Sequence, residues 1–281
     1  MSTRFRLAAT ATLAAALAVT TLGATPASGA ADADPLLVAH RGFSAAAPEN
    51  TLPAVRRAVQ AKADFVEIDV QRTKDRKLVL LHDADLRRTT DVEEVYPERA
   101  TSPVSDFTWA ELKRLDAGSW KGAAFDGTRV PTLDQAIRVL AGTRSKLLLE
   151  LKDPSRFPGI ERQVARVLDR FELIEPGTDD GVQVQSFDVG SVETFDELEP
   201  EAEVGVLVGA PPADPRTYRW AEAINPSYRT VTRAWVRRAQ QAGFLTFVYT
   251  VNDPAEIRRM ARYGVDGIIT DDPDVAYLAL R

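Results

Sequence analysis

Short apolar segments alternate with longer amphipathic segments along residues 31–281. The apolar segments are rich in Val, Ile and Leu, and most are followed by a polar turn and apolar positions at helical spacing. Eight of them predict strands, at Leu36–Ala39, Phe65–Val70, Lys146–Leu151, Val182–Phe187, Val204–Val208, Ala223–Asn225, Leu245–Val251 and Gly267–Thr270. The helical spacing predicts helices at Thr51–Ala61, Thr132–Leu140, Ile160–Phe171, Val189–Leu198, Val231–Ala242 and Pro254–Tyr263.

Eight strand–helix units in about 250 residues are typical of a (β/α)8 barrel, the TIM barrel of the α/β class. A doubly wound open sheet is the competing architecture, but no glycine-rich phosphate loop follows the first predicted strand. We therefore expect residues 31–281 to form one barrel domain. Its active site should lie at the carboxyl ends of the strands, where the connecting loops gather.

A long insertion after the second predicted strand, residues 71–131, interrupts the alternation of strands and helices. At its start, Leu78–Leu81 follows the second strand too closely for a parallel crossover, which predicts an antiparallel hairpin. A turn centred on Asp75–Arg76 would place His82 opposite Asp69.

The remainder of the insertion is expected to form a small cap over the mouth of the barrel. It would contain a short helix at Phe107–Leu115 and a loop at Asp116–Gly127. Because such a cap narrows the mouth, it favours small soluble substrates.

The first 30 residues differ in composition from the rest of the chain. Arg4 and Arg6 precede an apolar run rich in Ala, Leu, Thr and Val, and the small residues Ala27–Ala30 follow it. This order is typical of a secretory signal peptide. We therefore expect cleavage near Ala30 and a secreted protein without a stable membrane anchor. An uncleaved membrane anchor is the alternative, which the short, Ala-rich run disfavours.

Composition narrows the chemistry that the chain can perform. Its 281 residues include no cysteine, which excludes disulfides, thiolate nucleophiles and cysteine-ligated zinc or iron–sulfur sites. A formal charge of −6 gives no support for nucleic-acid binding. The two histidines, His40 and His82, are therefore the first candidates for proton transfer.

Acidic side chains lie near the ends of the second and third predicted barrel strands. Glu67 and Asp69 share one strand face, which points to the barrel axis because helices cover the outside. Two buried carboxylates this close repel each other, and a divalent cation is the simplest way to stabilise both. Glu150 on the next strand could add a third oxygen ligand, and such a ligand set suits Mg2+ or Ca2+. Lys152 could contact a bound anion, or form a structural ion pair with Glu150.

Both histidines are predicted at this mouth, His40 beside Arg41 at the end of the first strand and His82 on the hairpin. One base and one acid around a metal-held anion and an arginine is the arrangement that phosphodiester cleavage needs.

Other side chains have weaker indications. Gln185 faces inward at the end of its strand and could hydrogen-bond a ligand, and Tyr249 could line the pocket. Phe187 is expected to pack in the core. Asn50 or Thr51 is expected to cap the first helix.

A series of short motifs runs through the chain in order. They are His40-Arg41-Gly42, Pro48-Glu49-Asn50-Thr51, Glu67-Ile68-Asp69, His82-Asp83, Leu86-Arg87-Arg88-Thr89-Thr90, Leu115-Asp116-Ala117-Gly118, Glu150-Leu151-Lys152, Gln185-Ser186-Phe187, Thr250-Val251-Asn252 and Thr270-Asp271-Asp272-Pro273. In these motifs the chain resembles the glycerophosphodiester phosphodiesterase family.

The resemblance implies a (β/α)8 barrel with an inserted cap and assigns roles to particular residues. His40 and His82 match the family's acid–base pair, and Arg41 and Lys152 match positions that contact the phosphate. The matches to the family's metal ligands are Glu67, Asp69 and Glu150. Tyr249 stands where many members carry a tryptophan, so the wall beside the substrate differs there.

We therefore expect a secreted, metal-dependent hydrolase that converts glycerophosphodiesters into glycerol 3-phosphate and an alcohol such as choline or ethanolamine. Its cofactor would be a divalent cation, Mg2+ or Ca2+. A lysophospholipase or phospholipase D-like enzyme that releases a cyclic phosphate is the first alternative. A non-catalytic secreted binding protein is the second, because a fold alone does not guarantee activity. The sequence leaves open the preferred alcohol, the roles of the two histidines, the nucleophile and the oligomeric state.

Overall fold

A computed structural model describes residues 34–174 and 181–281 of the chain, so the predicted signal peptide lies outside the described residues. The strands are β1 Leu36–Ala39, β2 Phe65–Arg72, β3 Leu78–Leu80, β4 Lys146–Leu151, β5 Val182–Ser186, β6 Glu203–Val208, β7 Ala223–Pro226, β8 Phe247–Val248 and β9 Gly267–Thr270. The α-helices are α1 Leu52–Gln60, α2 Val92–Val95, α3 Trp109–Leu112, α4 Leu133–Leu140, α5 Ile160–Arg170, α6 Val189–Leu198, α7 Arg233–Gln241, α8 Pro254–Tyr263 and α9 Pro273–Leu280. Among the described residues, no helix is both long and apolar enough to cross a membrane.

The parallel strands form a barrel. In the described part of the chain, eight of them follow one another in the order β7-β6-β5-β4-β2-β1-β9-β8. Two parallel bridges, Ala223 to Leu245 and Ser227 to Tyr249, join β7 to β8 and complete the ring. The predicted (β/α)8 barrel is therefore confirmed. The strand predicted at Leu245–Val251 is shorter than expected, because the residues beside Phe247–Val248 pair only through these isolated bridges.

The register between β2 and β4 brings their acidic residues to the same level. Asp69 is the partner of Glu150 in the ladder, and Glu67 lies one inward position earlier on β2. Below them, Phe65 and Leu148 fill the barrel interior, while the outward residues of both strands pack against the helices. The carboxylates therefore lie above a packed apolar interior, at the carboxyl ends of their strands.

The hairpin that continues β2 differs from its prediction. β3 pairs antiparallel with β2 as expected, but the predicted register is wrong by one residue. Leu81, not His82, lies opposite Asp69, whose carbonyl accepts the Leu81 N–H at 3.1 Å. The turn at Thr73–Lys77 holds three inner residues instead of two, and the last of them, Arg76, has a left-handed φ of 66°. His82 therefore lies in the loop just beyond the hairpin.

The rest of the insertion packs around a small apolar core of its own. That core includes Leu81, Leu86, Val92, Val104, Phe107, Leu112, Leu115 and Val130. The helix predicted at Phe107–Leu115 is only Trp109–Leu112, because a capping box between Thr108 and Glu111 fixes its start and the chain tightens after one turn. Across the mouth, Lys121 donates a hydrogen bond to the Ser44 carbonyl at 2.7 Å. The insertion thus contacts the loop after β1.

Candidate active site

A cavity of about 220 Å³ opens at the carboxyl ends of the barrel strands. Its walls include His40, Arg41, Glu67, His82, Glu150, Lys152, Gln185, Phe187, Tyr249 and Thr250. Eight of the nine side chains that the sequence singles out are among the residues that line it. The ninth, Asp69, is only 1% exposed and lies against the same cluster.

Glu67, Asp69 and Glu150 offer carboxylate oxygens that all lie within 4.8 Å of one another. Burial and repulsion from its two neighbours raise the pKa of Glu67 well above its usual value. Burial and the charge of Asp69 likewise raise the pKa of Glu150 to about 7. The cluster therefore holds more negative charge than its surroundings neutralise. Three buried oxygen ligands with this excess charge fit a hard divalent cation.

Two cationic side chains border the carboxylate cluster. The Lys152 ammonium donates to Glu150 Oε1 at 2.8 Å and lies 3.7 Å from Asp69 Oδ1. The Arg41 Nε lies 3.5 Å from Asp69 Oδ2, and within the described chain this buried donor has no hydrogen-bond partner. Burial disfavours the charge of Lys152, but Asp69 and Glu150 raise its pKa, so it remains an ammonium. Both groups are suited to bind a phosphate oxygen beside the cluster.

The backbone after β1 adopts a conformation that brings Arg41 to the cluster. Arg41 has a φ of 55° and Gly42 a φ of 75°, and the Arg41 N–H donates to Glu67 Oε2 at 2.6 Å. A Cβ on Gly42 would lie 2.6 Å from the Ala54 carbonyl carbon. Only glycine fits there, which explains its position directly after the His-Arg pair.

Asn50 has a role that sequence reasoning missed. Its side-chain amide donates to Asp69 Oδ2 at 2.8 Å, and its side-chain carbonyl accepts the Asp69 N–H at 3.1 Å. Thr51 occupies the N-cap position of α1 as predicted, but its hydroxyl donates to the Pro48 carbonyl and caps no helix N–H. Asn50 instead fixes the orientation of Asp69.

His40 is oriented by a carboxylate at the end of β9. Its Nδ1 lies 2.6 Å from Asp271 Oδ1, and Asn252 donates to the other oxygen at 2.6 Å. Although burial opposes its ionisation, hydrogen bonds from His40 and Asn252 lower the pKa of Asp271 to about 2. An ionised carboxylate only accepts hydrogen bonds, so the shared proton lies on Nδ1 and Nε2 is left for proton transfer.

His82 has the same kind of partner in its own neighbour. Its Nδ1 lies 2.7 Å from Asp83 Oδ1, and the buried Gln71 amide donates to the carbonyls of Leu81, His82 and Asp83 at 2.8–3.2 Å. Burial lowers the pKa of His82 below its usual value, which favours the neutral imidazole near pH 7. Each histidine therefore presents one free ring nitrogen and one nitrogen held by an aspartate.

The opposite wall is formed by the ends of β5 and β8. Asn225 donates to Gln185 at 2.8 Å, which fixes the orientation of this buried amide. Burial raises the pKa of Tyr249 to about 12, and its hydroxyl donates to the Val208 carbonyl at 2.9 Å. The core position predicted for Phe187 is wrong, because this side chain is 50% exposed. Its ring packs edge-on against Tyr249, and the ring centroid lies 5.9 Å from Lys152 Nζ, so Phe187 lines the mouth.

A second, more open cavity of about 610 Å³ adjoins the first. The two cavities share His40 and Arg41, and Trp120 and Lys121 of the insertion form the far wall of the open one. A phosphate held between the histidines would therefore have space for a substituent on either side.

The sequence pattern gave no direct indication of Asp271, Asn252 or Asp83 as partners of the histidines. Two features of the sequence could have indicated Asp271 and Asp83. Asp271 follows a strand end, as active-site residues of barrels do, and Asp83 is adjacent to His82.

Comparisons with known proteins agree with this geometry. The model of the glycerophosphoryl diester phosphodiesterase family matches residues 40–275. The chain belongs to that family. A glycerophosphodiester phosphodiesterase of Caldanaerobacter subterraneus subsp. tengcongensis is 33% identical over 254 residues, which cover 88% of this chain and 98% of the relative. A glycerophosphodiester phosphodiesterase of Bacillus subtilis is 33% identical over 258 residues, with 85% and 84% of the two chains covered.

A solved structure is also similar over nearly the whole fold. The phosphodiesterase of Oleispira antarctica, in complex with its product sn-glycerol-3-phosphate, superposes with a TM-score of 0.78 at 30% identity. The match covers 88% of this chain and 97% of that one. The present family member is accordingly a hydrolase of the phosphodiesterase class.

The carboxylate cluster leads to predictions about how stability depends on pH and on divalent cations. Because the folded state holds protons on Glu67 and Glu150 more tightly than the unfolded state, stability without divalent cations should fall as pH rises from about 5 to 8. Glu67→Gln removes one of the repelling charges. We expect it to raise the melting temperature in chelator at pH 8 by about 2–6 °C and to abolish the further rise that Mg2+ or Ca2+ gives the wild type.

Thermal unfolding in chelator, and after each cation is added back, measures both effects. Glu222→Gln is the matched control, since burial also raises the pKa of Glu222 but this residue precedes β7 at the other end of the barrel. It should leave the response to cations unchanged. A normal response in Glu67→Gln would contradict the assignment of the cluster as a metal site.

Proposed function

We propose that this protein hydrolyses glycerophosphodiesters to glycerol 3-phosphate and an alcohol, in a reaction that depends on a divalent cation. One observation carries the proposal: a single cavity holds two carboxylate-oriented histidines, two cationic side chains and three clustered carboxylates. This set provides a base, an acid, phosphate ligands and a cation site within one small volume.

The phosphate binds beside the carboxylate cluster. The Lys152 ammonium and the Arg41 Nε donate to its oxygens and offset the negative charge that increases as the fifth oxygen approaches phosphorus. Glu49 accepts from Arg41 Nη1 at 2.7 Å, which fixes the plane of the guanidinium. The protein as a whole carries a formal charge of −6. The positive potential that attracts a phosphate must therefore come from the side chains at the site itself.

Proton transfer uses the free Nε2 atoms of the two histidines. One imidazole removes a proton from the attacking water, or from a substrate hydroxyl whose cyclic phosphate water then opens, and the other donates a proton to the departing alkoxide. The aspartates that hold Nδ1 stabilise each imidazolium as it forms. Both partners have a pKa of about 2, so they remain ionised at any pH at which the enzyme operates.

Glu67, Asp69 and Glu150 are the residues that would hold the cation. When bound, a divalent cation supplies positive charge to a phosphate oxygen and lowers the energy of the charged intermediate state. Asn50 and the Arg41 N–H keep the carboxylates in place for that role.

The glycerol moiety is supported as one half of the substrate by the product found in the Oleispira antarctica relative. The inner cavity of about 220 Å³ suits a three-carbon polyol, and the open cavity gives room for a second alcohol. Nothing in either cavity requires a long acyl chain, which favours small soluble diesters over lysolipids.

His40→Gln and His82→Gln should each reduce turnover of glycerophosphocholine by about 10²- to 10⁴-fold, because each removes one proton-transfer group. Both variants should keep the melting temperature rise with Mg2+ or Ca2+, since neither residue belongs to the carboxylate cluster. Release of choline measures turnover. Near-normal rates in both variants would refute the acid–base assignment, whereas a wild type without turnover would favour the binding-protein alternative.

Product identity separates hydrolysis from the lipid-cleaving alternative. Phosphorus NMR of reactions with glycerophosphocholine and with lysophosphatidylcholine, each with and without cation, should detect glycerol 3-phosphate from the first substrate only. Faster turnover of lysophosphatidylcholine with a cyclic phosphate as the product would favour a lysophospholipase or phospholipase D-like enzyme instead.

We also propose that residues 1–30 direct the protein out of the cell and are removed there, on the evidence of their sequence pattern. Protein recovered from the culture medium should begin at Ala31 by N-terminal sequencing. Leu13→Arg with Leu17→Arg interrupts the apolar run and should retain the uncut chain in the cells. Equal export of both forms would contradict the signal-peptide assignment.

A further inference from the structure

Arg88 lies outside the inner cavity but binds Asp83 and Glu49, two carboxylates that orient side chains lining that cavity. Its Nε and Nη2 donate to the two oxygens of Asp83 at 2.5 and 3.1 Å. Its Nη1 and Nη2 donate to the two oxygens of Glu49, both at 2.7 Å. All three guanidinium nitrogens are thus engaged, in two bidentate contacts that a lysine ammonium cannot reproduce.

Each of these carboxylates also contacts a different part of the active site. Asp83 Oδ1 lies 2.7 Å from His82 Nδ1, and Glu49 Oε1 accepts from Arg41 Nη1 at 2.7 Å. His82 belongs to the insertion and Arg41 to the loop after β1. Arg88 therefore connects a proton-transfer residue to a phosphate ligand that comes from another part of the chain.

Arg88 itself lies outside both cavities. Its side chain is 45% exposed, and it is absent from the described residues that line either cavity. Any effect on catalysis must therefore pass through Asp83 and Glu49. Although burial disfavours ionisation of both acids, hydrogen bonds from Arg88 lower the pKa of Asp83, to about 2, and the pKa of Glu49.

We propose that Arg88 is a positioning residue that locks His82 and Arg41 into one catalytic arrangement. The proposal rests on the phosphodiesterase function proposed above. Without the guanidinium, Asp83 and Glu49 are two carboxylates that share no cation, so they repel each other and no longer hold His82 and Arg41 in one fixed orientation. Loss of His82 alignment lowers kcat, and loss of Arg41 alignment raises KM.

Arg87 provides a matched control. It is the same residue type, adjacent in sequence and 47% exposed, and it also forms an ion pair with an aspartate, Asp85. In the described structure, Arg87 makes no contact with Asp83 or Glu49 that would link it to the cavity. A general loss of surface charge or of cap stability should therefore affect both arginine variants alike.

The experiment compares Arg88→Gln, Arg88→Lys and Arg87→Gln in the full mature protein, with glycerophosphocholine as substrate. We expect kcat/KM to fall by about 10- to 100-fold in Arg88→Gln, with changes in both kcat and KM, because outer partners of catalytic groups have effects of this size. Arg88→Lys should recover little of the lost kcat/KM, since a lysine ammonium is a single point charge and cannot form two bidentate contacts. Arg87→Gln should stay within about twofold of the wild type, the size of a surface-charge effect.

A second readout does not depend on turnover. Because the chain has only two histidines, NMR titration resolves both imidazoles, and His40→Gln assigns them. Loss of Arg88 should raise the titration midpoint of His82, since Asp83 then carries a charge that only His82 shares. The other charges acting on His82, those of Asp69, Arg41 and Lys152, are identical in the Arg87 control.

These two readouts separate the possible failures. Wild-type protein that turns over no glycerophosphodiester, with the His82 shift still present, would refute the function but not the positioning role. An active wild type in which Arg88→Gln matches Arg87→Gln in rate and in His82 titration would overturn the role of Arg88. Equal losses in both variants, with equal drops in melting temperature, would also overturn it, because they would indicate a purely structural effect.

Discussion

The structure depends on the burial of three carboxylates at one point above a packed barrel interior. Glu67, Asp69 and Glu150 are each less than 10% exposed, and their mutual repulsion disfavours ionisation of two of them. Such a cluster is unfavourable unless positive charge is brought to it. The left-handed backbone at Arg41, the glycine that permits it and the placement of Lys152 all serve that requirement. The site can therefore hold a cation and an anion together, and it is less favourable in their absence.

The carboxylates around the mouth fall into two electrostatic classes. Glu67 and Glu150 in the cluster have raised pKa values because they are buried and face other carboxylates. Asp271, Asp83 and Glu49 have lowered pKa values because each is bound by a histidine or an arginine. The first class leaves negative charge available for a metal, whereas the second fixes the orientation of groups that act on the substrate. Residues of one chemical type thus have opposite functions, set by their neighbours.

The sequence predicts well which face of a strand each side chain occupies. Glu67, Asp69 and Glu150 could be placed on one inner face because side chains alternate along a strand and parallel strands align their carboxyl ends. Periodicity ends where loops begin. The three-residue turn before β3, which shifts His82 by one position, depends on a left-handed Arg76 that no pattern indicates. The contacts of Asn50 with Asp69 and of Asp271 with His40 likewise join residues distant in sequence through loop conformations, so only the folded chain brings them together.

The insertion is therefore more than a cover over the mouth. It carries His82, while His40 comes from the barrel, and it packs around an apolar core of its own. A segment with a separate core can shift relative to the barrel, yet proton transfer tolerates errors of only a fraction of an ångström. The polar contacts that cross this boundary, from Lys121 to the Ser44 carbonyl and from Arg88 to the Glu49 carboxylate, limit that shift. In the proposed mechanism, placing one of the two histidines on the insertion makes catalysis conditional on its docking, and the hydrogen bonds at the boundary satisfy that condition.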